Sequence, residues 1–373
     1  MIYADNAATT ELCQEAYDAM KPYLRGYYGN ASQPYSFARS PKLALKKARE
    51  DIASCIGALP EEIYFTSGGT ESDNWVIKSV LFAKSGRKGI ITSEIEHHAI
   101  LNSCASVHQL GVPVTYLPVD DKGFVQSADL EETVAADTYL VSIMFANNEI
   151  GTIEPIKELA TVAHSRGLLF HTDAVQAVGH VPLDVHDLGV DFLSSSAHKF
   201  NGPKGIGFLY IRKGISAHSY MDGGSQEKGQ RAGTENIASI AGMAAALKMN
   251  VIRLSDENKK LKGLENILVS ELRHTNLDFI CNGAENRLPG NVNISFRDAD
   301  GEMLLHRLDL KGICISTGSA CDSVNPQVSH VIKAIHVPPE YAEGTIRITF
   351  GANNTEDDAI QIAAELKKVL CGK

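Results

Sequence analysis

Lys199 stands where an amine can be a nucleophile. It closes the run Ser194-Ser195-Ser196-Ala197-His198-Lys199 and precedes the turn Gly202-Pro203-Lys204-Gly205. A lysine directly behind a strand suits Schiff-base chemistry, although a solvated surface lysine would leave the same trace. Asp173 follows the apolar run Leu168–Thr172, with Gln176 three residues on. A carboxylate at a buried strand end needs a cationic partner, unless it caps a helix. The stretch Ser67-Gly68-Gly69-Thr70-Glu71-Ser72 is a glycine turn entering a helix. Its free N–H groups and the Thr70 hydroxyl can hold a phosphate, or the turn is an ordinary cap. It is neither a Walker loop nor a G-x-G-x-x-G fingerprint, so two familiar nucleotide readings lack their motif.

His97 and His98 follow another short apolar run, behind Glu94 and Glu96. As metal ligands they lack further partners at suitable spacing. His171 and Asp173 are also discounted as a metal pair, on the expectation that their side chains diverge along the strand. Asn147-Asn148-Glu149 marks one more polar strand end. Cys321 lies in Ile315-Ser316-Thr317-Gly318-Ser319-Ala320-Cys321-Asp322, a small-residue segment that reads as a flexible loop. A lone cysteine is usually buried and inert, yet small polar neighbours give a thiolate the access a nucleophile needs. Arg347 offers a bidentate fork to a carboxylate, or else a strand-edge salt bridge. A phosphate cradle, an aspartate for a pyridinium nitrogen, a histidine able to stack on a ring and a Schiff-base lysine together make a pyridoxal phosphate site. The aspartate would keep the ring nitrogen protonated.

The elements that must position these residues are readable as alternating short β-branched runs and longer amphipathic stretches. Strands are predicted at Ile63–Thr66, Gly89–Thr92, Val114–Leu117, Tyr139–Met144, Leu168–Thr172, Asp191–Ser194 and Ile206–Ile211. Helices are predicted between them at Ser72–Ser85, Ala99–Leu110 and Ile156–Arg166. This is an α/β pattern around a mostly parallel sheet. Ser194 and Ile206 are too close for a helical crossover, so the last strand is expected to run antiparallel. A helix over Ile237–Leu272 then leads to a smaller α+β region, with strands at Asn291–Ser295, Ile313–Ser316 and Thr345–Thr349. Helices are expected there near Gly301–Leu310 and Thr355–Leu370. No low-complexity linker intervenes, so the long helix is expected to join the two parts. In open sheets of this kind ligands bind beyond the carboxyl ends of the strands, where the polar residues concentrate.

Composition agrees. The 373 residues are 44% hydrophobic and 21% charged, which excludes a disordered or collagen-like chain. The net charge of −10 argues against direct nucleic-acid binding by phosphate neutralisation. No run approaches about 18 continuous apolar residues, so no membrane span is expected. Met1–Thr10 does not read as a secretory leader. Seven scattered cysteines with no C-x-x-C pair make a poor disulfide framework and fit a reducing cytoplasm.

The sequence resembles the NifS/IscS-type cysteine desulfurases, class V of the fold-type I pyridoxal phosphate enzymes. The resemblance runs nearly end to end. It rests on Tyr3–Thr10, Gly29-Asn30, Ser67–Asn74, Glu96-His97, Asn147–Gly151, His171–Gln176, Ser196–Lys199, Gly202–Gly205, Arg231-Ala232-Gly233-Thr234, Ser316–Cys321 and Arg347. The Ser-Thr-Gly-Ser-Ala-Cys form is similar to the group I subfamily, whose cysteine rides on a longer mobile loop. The resemblance implies a large domain with a seven-stranded sheet, here residues 14–255. It also implies a small domain made from residues 1–13 together with 256–373. It implies that Lys199 holds the cofactor, Asp173 meets its ring nitrogen, Gln176 its phenolic oxygen, and His97 stacks on the ring and moves protons. Gly69, Thr70, Ser196 and His198 would hold the phosphate, with Thr234 reaching in from the second subunit of a homodimer. Asn148 and Arg347 would bind the carboxylate of L-cysteine, and Cys321 would take the sulfur as a persulfide. A sulfur-acceptor protein would follow, an iron–sulfur scaffold or a thiolation enzyme. No metal is implied.

Overall fold

A computed structural model describes residues 1–318 and 328–372. In chain order the first half contains β1 (Ile2–Tyr3), α1 (Gln14–Arg25), α2 (Arg39–Cys55), β2 (Ile63–Thr66), α3 (Gly69–Ser79), β3 (Gly89–Ser93), α4 (His98–Gln109), β4 (Val114–Leu117), α5 (Ser127–Thr133) and β5 (Thr138–Ser142). Then come α6 (Ile156–Ser165), β6 (Leu169–Asp173), α7 (Val185–Leu188), β7 (Phe192–Ser196), β8 (Gly207–Ile211) and the long α8 (Ile237–Arg273). The remainder holds β9 (Phe279–Cys281), β10 (Asn291–Phe296), α9 (Gly301–Asp309), β11 (Ile313–Cys314), α10 (His330–Ala334), α11 (Pro339–Ala342), β12 (Thr345–Thr349) and α12 (Glu356–Cys371).

Seven strands form one sheet in the order β2-β8-β7-β6-β5-β3-β4. All pairings are parallel except those of β8, which runs antiparallel to both β7 and β2. The short β7–β8 link dictates this, because a parallel return needs a crossover. Most of its strands are buried along their length, as expected of a sheet covered on both faces. The predicted strands of this sheet match to within two residues. The helix expected from Ser72 instead starts at Gly69 and gives way to a 3-10 turn, Val80–Phe82. The strand expected over Ile313–Ser316 is confined to Ile313–Cys314.

The C-terminal third holds a three-stranded antiparallel sheet, β12-β10-β9, and its β11 pairs in parallel with the N-terminal β1. Val292, Ile294, Phe296, Ile346 and Ile348 share a core there with Ile2 and Ala4 from the N-terminus. Helix α8 serves both cores. Ile240, Met243, Ala244 and Leu247 pack under the large sheet, whereas Leu261, Leu264, Leu268 and Leu272 pack on the smaller one. By length and apolarity α8 would qualify to cross a bilayer, but these residues face the two protein cores. Burying each of its leucines stabilises the junction by about 1.5–3 kcal/mol.

Candidate active site

The carboxyl ends of β2, β3, β5, β6 and β7 converge on a cavity of about 270 Å³. Ten of the residues singled out in the sequence line it: Gly69, Thr70, His97, Asn148, Asp173, Gln176, Ser196, His198, Lys199 and Arg347. Thr234 does not line it. Cys321 lies outside the described residues. A wider cleft of about 470 Å³ adjoins it beside α1 and α8, but no lysine lines that cleft.

Local chain geometry explains how the turn after β2 fits. Gly68 has φ of 153°, a conformation closed to residues with a Cβ. A Cβ on Gly69 would stand 2.5 Å from Val175 Cγ2. A Cβ on Gly207 would overlap Ser195 O and Gly68 Cα. Three backbones thus meet more closely than side chains allow, and the first turn of α3 points its free N–H groups beside Ser196.

Lys199 Nζ donates to the carbonyls of Ala7 (2.5 Å) and Ala8 (2.9 Å), so the N-terminal segment forms one wall of the site. Gln176 Nε2 donates to the same Ala7 carbonyl at 3.0 Å. Asp173 Oδ1 accepts from Val175 N–H at 2.9 Å. Burial pushes the Asp173 carboxyl up to about 6, while the Val175 N–H and the Lys199 charge pull it back. His97 caps α4, its Nδ1 accepting from Ala99 N–H at 3.1 Å. Burial, aided by the Lys199 charge, lowers the imidazole to about 4. A neutral ring that accepts at Nδ1 carries its proton at Nε2. His198 is lowered to about 4 by the same two causes, and its Nδ1 pairs with Thr9 Oγ1 at 3.1 Å.

Arg347, on β12, is 2% exposed. Its Nη2 donates to Asp5 Oδ1 (2.7 Å) and its Nη1 to the Asn148 carbonyl (2.9 Å), while Nε has no partner. The salt-bridge alternative is therefore realised on one side of the guanidinium, whose Nε is buried without a partner among the described residues. The expected divergence of His171 and Asp173 does not occur, because positions two apart on a strand share a face. His171 lies 3.7 Å from Asp73, and Asp73, His97 and Asp173 each bring a ligand atom within 4.8 Å of the others. A divalent cation among these three would face the Lys199 charge that acts on His97 and Asp173.

Two groups escaped the sequence reading. Asp5, the partner of Arg347, is 342 residues away from it. Asp73 sits one helical turn beyond Gly69, and that spacing was the only signal available for it. The donor set fits pyridoxal phosphate: N–H groups and hydroxyls at α3 for an anion, Asp173 for a ring nitrogen, a neutral imidazole, and an amine between them. The Arg347 guanidinium, in the lining of the cavity, fits a carboxylate.

The family model for aminotransferase class V matches residues 2–362. A protein of Dictyoglomus turgidum described as cysteine desulfurase IscS is 50% identical over 371 residues, covering 99% of this chain and 94% of that protein. One from Methanosarcina thermophila with the same description is 45% identical over 370 residues, covering 99% and 92%. Among solved structures, a NifS-like protein superposes with a TM-score of 0.93 at 38% identity, each chain covered in full. A complex of SspA with cysteine gives 0.84 at 34%, covering 94% of this chain and 99% of that one.

Proposed function

The chain belongs to the aminotransferase class-V family and is a pyridoxal-phosphate-dependent cysteine desulfurase; from that premise we propose how its own residues convert L-cysteine to L-alanine. The observation that carries the assignment of roles is the placement of Lys199 at the end of β7, in one cavity with Asp173 and His97. Bound pyridoxal phosphate supplies an electron sink for a carbanion next to the substrate nitrogen.

Lys199 would be the attachment point of the cofactor, and its Nζ would accept the α-proton of the substrate. Asp173 pairs with the ring nitrogen, and Gln176 donates to the phenolic oxygen. His97 covers the ring and holds a transferable proton at Nε2. Gly69, Thr70, Ser196 and His198 hold the phosphate, and Thr234 serves the site of a second copy in a homodimer. Asn148 and Arg347 orient the substrate carboxylate. The Cys321 thiolate attacks the substrate sulfur. The carbon–sulfur bond breaks with its electron pair left on carbon, a proton completes the alanine methyl group, and Cys321 retains a persulfide. An acceptor protein takes that sulfur, for iron–sulfur cluster assembly or thiolation, in a reducing cytoplasm. We divide the chain accordingly into residues 14–255, which bind the cofactor, and residues 1–13 with 256–373, which carry Cys321 and Arg347.

The test is release of sulfide and alanine from L-cysteine with a reductant, wild type beside Cys321→Ser. Equal amounts of both products from the wild type alone are expected, with cofactor absorbance in both proteins. Equal turnover by both would remove the thiol from the mechanism.

A further inference from the structure

Asp73 has no role in the reaction as described, yet it lines the same cavity. It is 1% exposed and Asp173 is 5% exposed, and their carboxylate oxygens lie within 4.8 Å of one another. Like charges so close and so buried resist double ionisation, so one of the two carboxyls keeps its proton.

The surroundings decide which one keeps it. Asp173 has the Val175 N–H at 2.9 Å and the Lys199 charge on its side. Asp73 Oδ1 has no hydrogen-bond partner among the described residues, and the Ser194 hydroxyl, which favours the charged form of this carboxyl, is outweighed by burial and by the Asp173 charge. His171 Nε2, 3.7 Å from Asp73 Oδ1, belongs to a fully buried imidazole whose two nitrogens already meet Ser142 Oγ (2.8 Å) and Ser194 Oγ (3.0 Å). Burial holds that imidazole near 3, so it brings no positive charge. The other ionisable groups near Asp73 are His97 at the start of α4, Cys104 within α4 and Glu96 before it. None is a cation: the thiol and Glu96 are pushed up by burial, and His97 is pushed down. Asp73 itself is raised well above the ordinary carboxylate range, by burial first and the Asp173 charge second.

We propose that Asp73 and Asp173 work as an acid–carboxylate pair, in which Asp73 keeps the proton so that Asp173 is the single anion facing the ring nitrogen. Asp73 is a positioning residue: it acts through Asp173 and fixes the charge that Asp173 presents. The statement rests on the assignment of Asp173 to the ring nitrogen, but its test does not.

Unfolding of cofactor-free wild type and Asp73→Asn is compared across about pH 5 to 8. A neutral Asp73 releases its proton on unfolding anywhere above about 3.9. The wild type must then lose stability relative to the variant by about tenfold in the unfolding constant per pH unit. A ratio independent of pH, or a variant that weakens relative to wild type as pH rises, overturns the proposal. Should Asp73→Asn not fold, wild type carrying isotope-labelled aspartate carboxyls is read by infrared spectroscopy at pH 7. A label-sensitive band of a neutral carboxylic acid is expected, and its absence overturns the proposal. Adding pyridoxal phosphate to the wild type is the separate check: no visible absorbance would sink the assignment of Asp173 and leave the stability result standing.

Discussion

The seven-stranded and the three-stranded sheets both bury polar residues, and they do so differently. In the large sheet the strand interiors are mostly apolar, and the ionisable groups Asp173 and Lys199 sit at or just past the carboxyl ends. Several of them lie in a shared cavity with displaced proton affinities. In the small sheet alternate residues of β10 and β12 form a buried polar face: Asn291, Asn293, Ser295, Thr345, Arg347 and Thr349. Much of it is bonded side chain to side chain, with Asn282 Nδ2 donating to Asn293 Oδ1 and Ser295 Oγ at 2.7 Å each, and Ser295 meeting Thr345 at 2.7 Å. The bonded part of that face, Asn282, Asn293, Ser295 and Thr345, is a neutral network that fixes shape, whereas groups held away from their ordinary protonation do chemistry. The first sheet is the reactive one, and the second is the platform that aims Arg347.

Substitutions at the two places should therefore fail in different ways. Lys199→Ala should have the largest effect, with loss of cofactor absorbance and a fall in turnover of at least about 10²–10⁴-fold. Spectra and alanine release will check it, and a variant that keeps both would dissolve the distinction. Arg347→Ala leaves the Asp5 carboxylate without its partner, and should destabilise by about 3 kcal/mol and raise KM for cysteine while cofactor absorbance persists. Denaturant unfolding and steady-state kinetics read the two effects separately.

Asn282→Ala removes two donors from the neutral network and should cost about 1–3 kcal/mol, with little change in the cofactor spectrum. A shifted spectrum would mean that the small sheet takes part in the chemistry. The smallest effect is in pH dependence. His97, His171 and His198 all have lowered values, near 4, 3 and 4. Each binds a proton in the unfolded chain before the folded one, so the three histidines contribute a loss of stability as pH drops from about 6.5 towards 4, opposite in sign to the contribution of the buried carboxyls Asp73 and Glu96. His171→Gln should make that fall shallower by one proton, as melting curves across the window will show.

The same contrast explains what could be seen in the sequence. The strands of the large sheet are compact apolar runs bounded by polar turns, so both the strands and the residues at their ends were legible. The helices α1 and α2 were not. The first contains Pro22 and has only Ala16 buried, and the second has a largely exposed basic face, so neither shows a broad apolar stripe. The pairing of Arg347 with Asp5 joins the two ends of the chain, and no local pattern encodes such a contact. Asp73 lies inside a helix, where an acidic residue normally reads as surface. The role of Cys321 rests on its motif.

The wall that the Ala7 and Ala8 carbonyls build around Lys199 has a consequence in time. Ala4 and Asn6, just before that wall, are tied by backbone hydrogen bonds to Cys314 and Thr349. A ribosome adding about 5–20 residues per second therefore needs roughly twenty seconds to over a minute between making the first of these partners and the last. For the last part of that interval, roughly 8 to 30 seconds at the same rate, the nascent chain carries Lys199, Asp173 and the Gly68–Thr70 turn in an unfinished pocket. Cofactor capture thus becomes an event of chain completion, and a prematurely terminated product would lack a closed site in which to hold the reactive aldehyde.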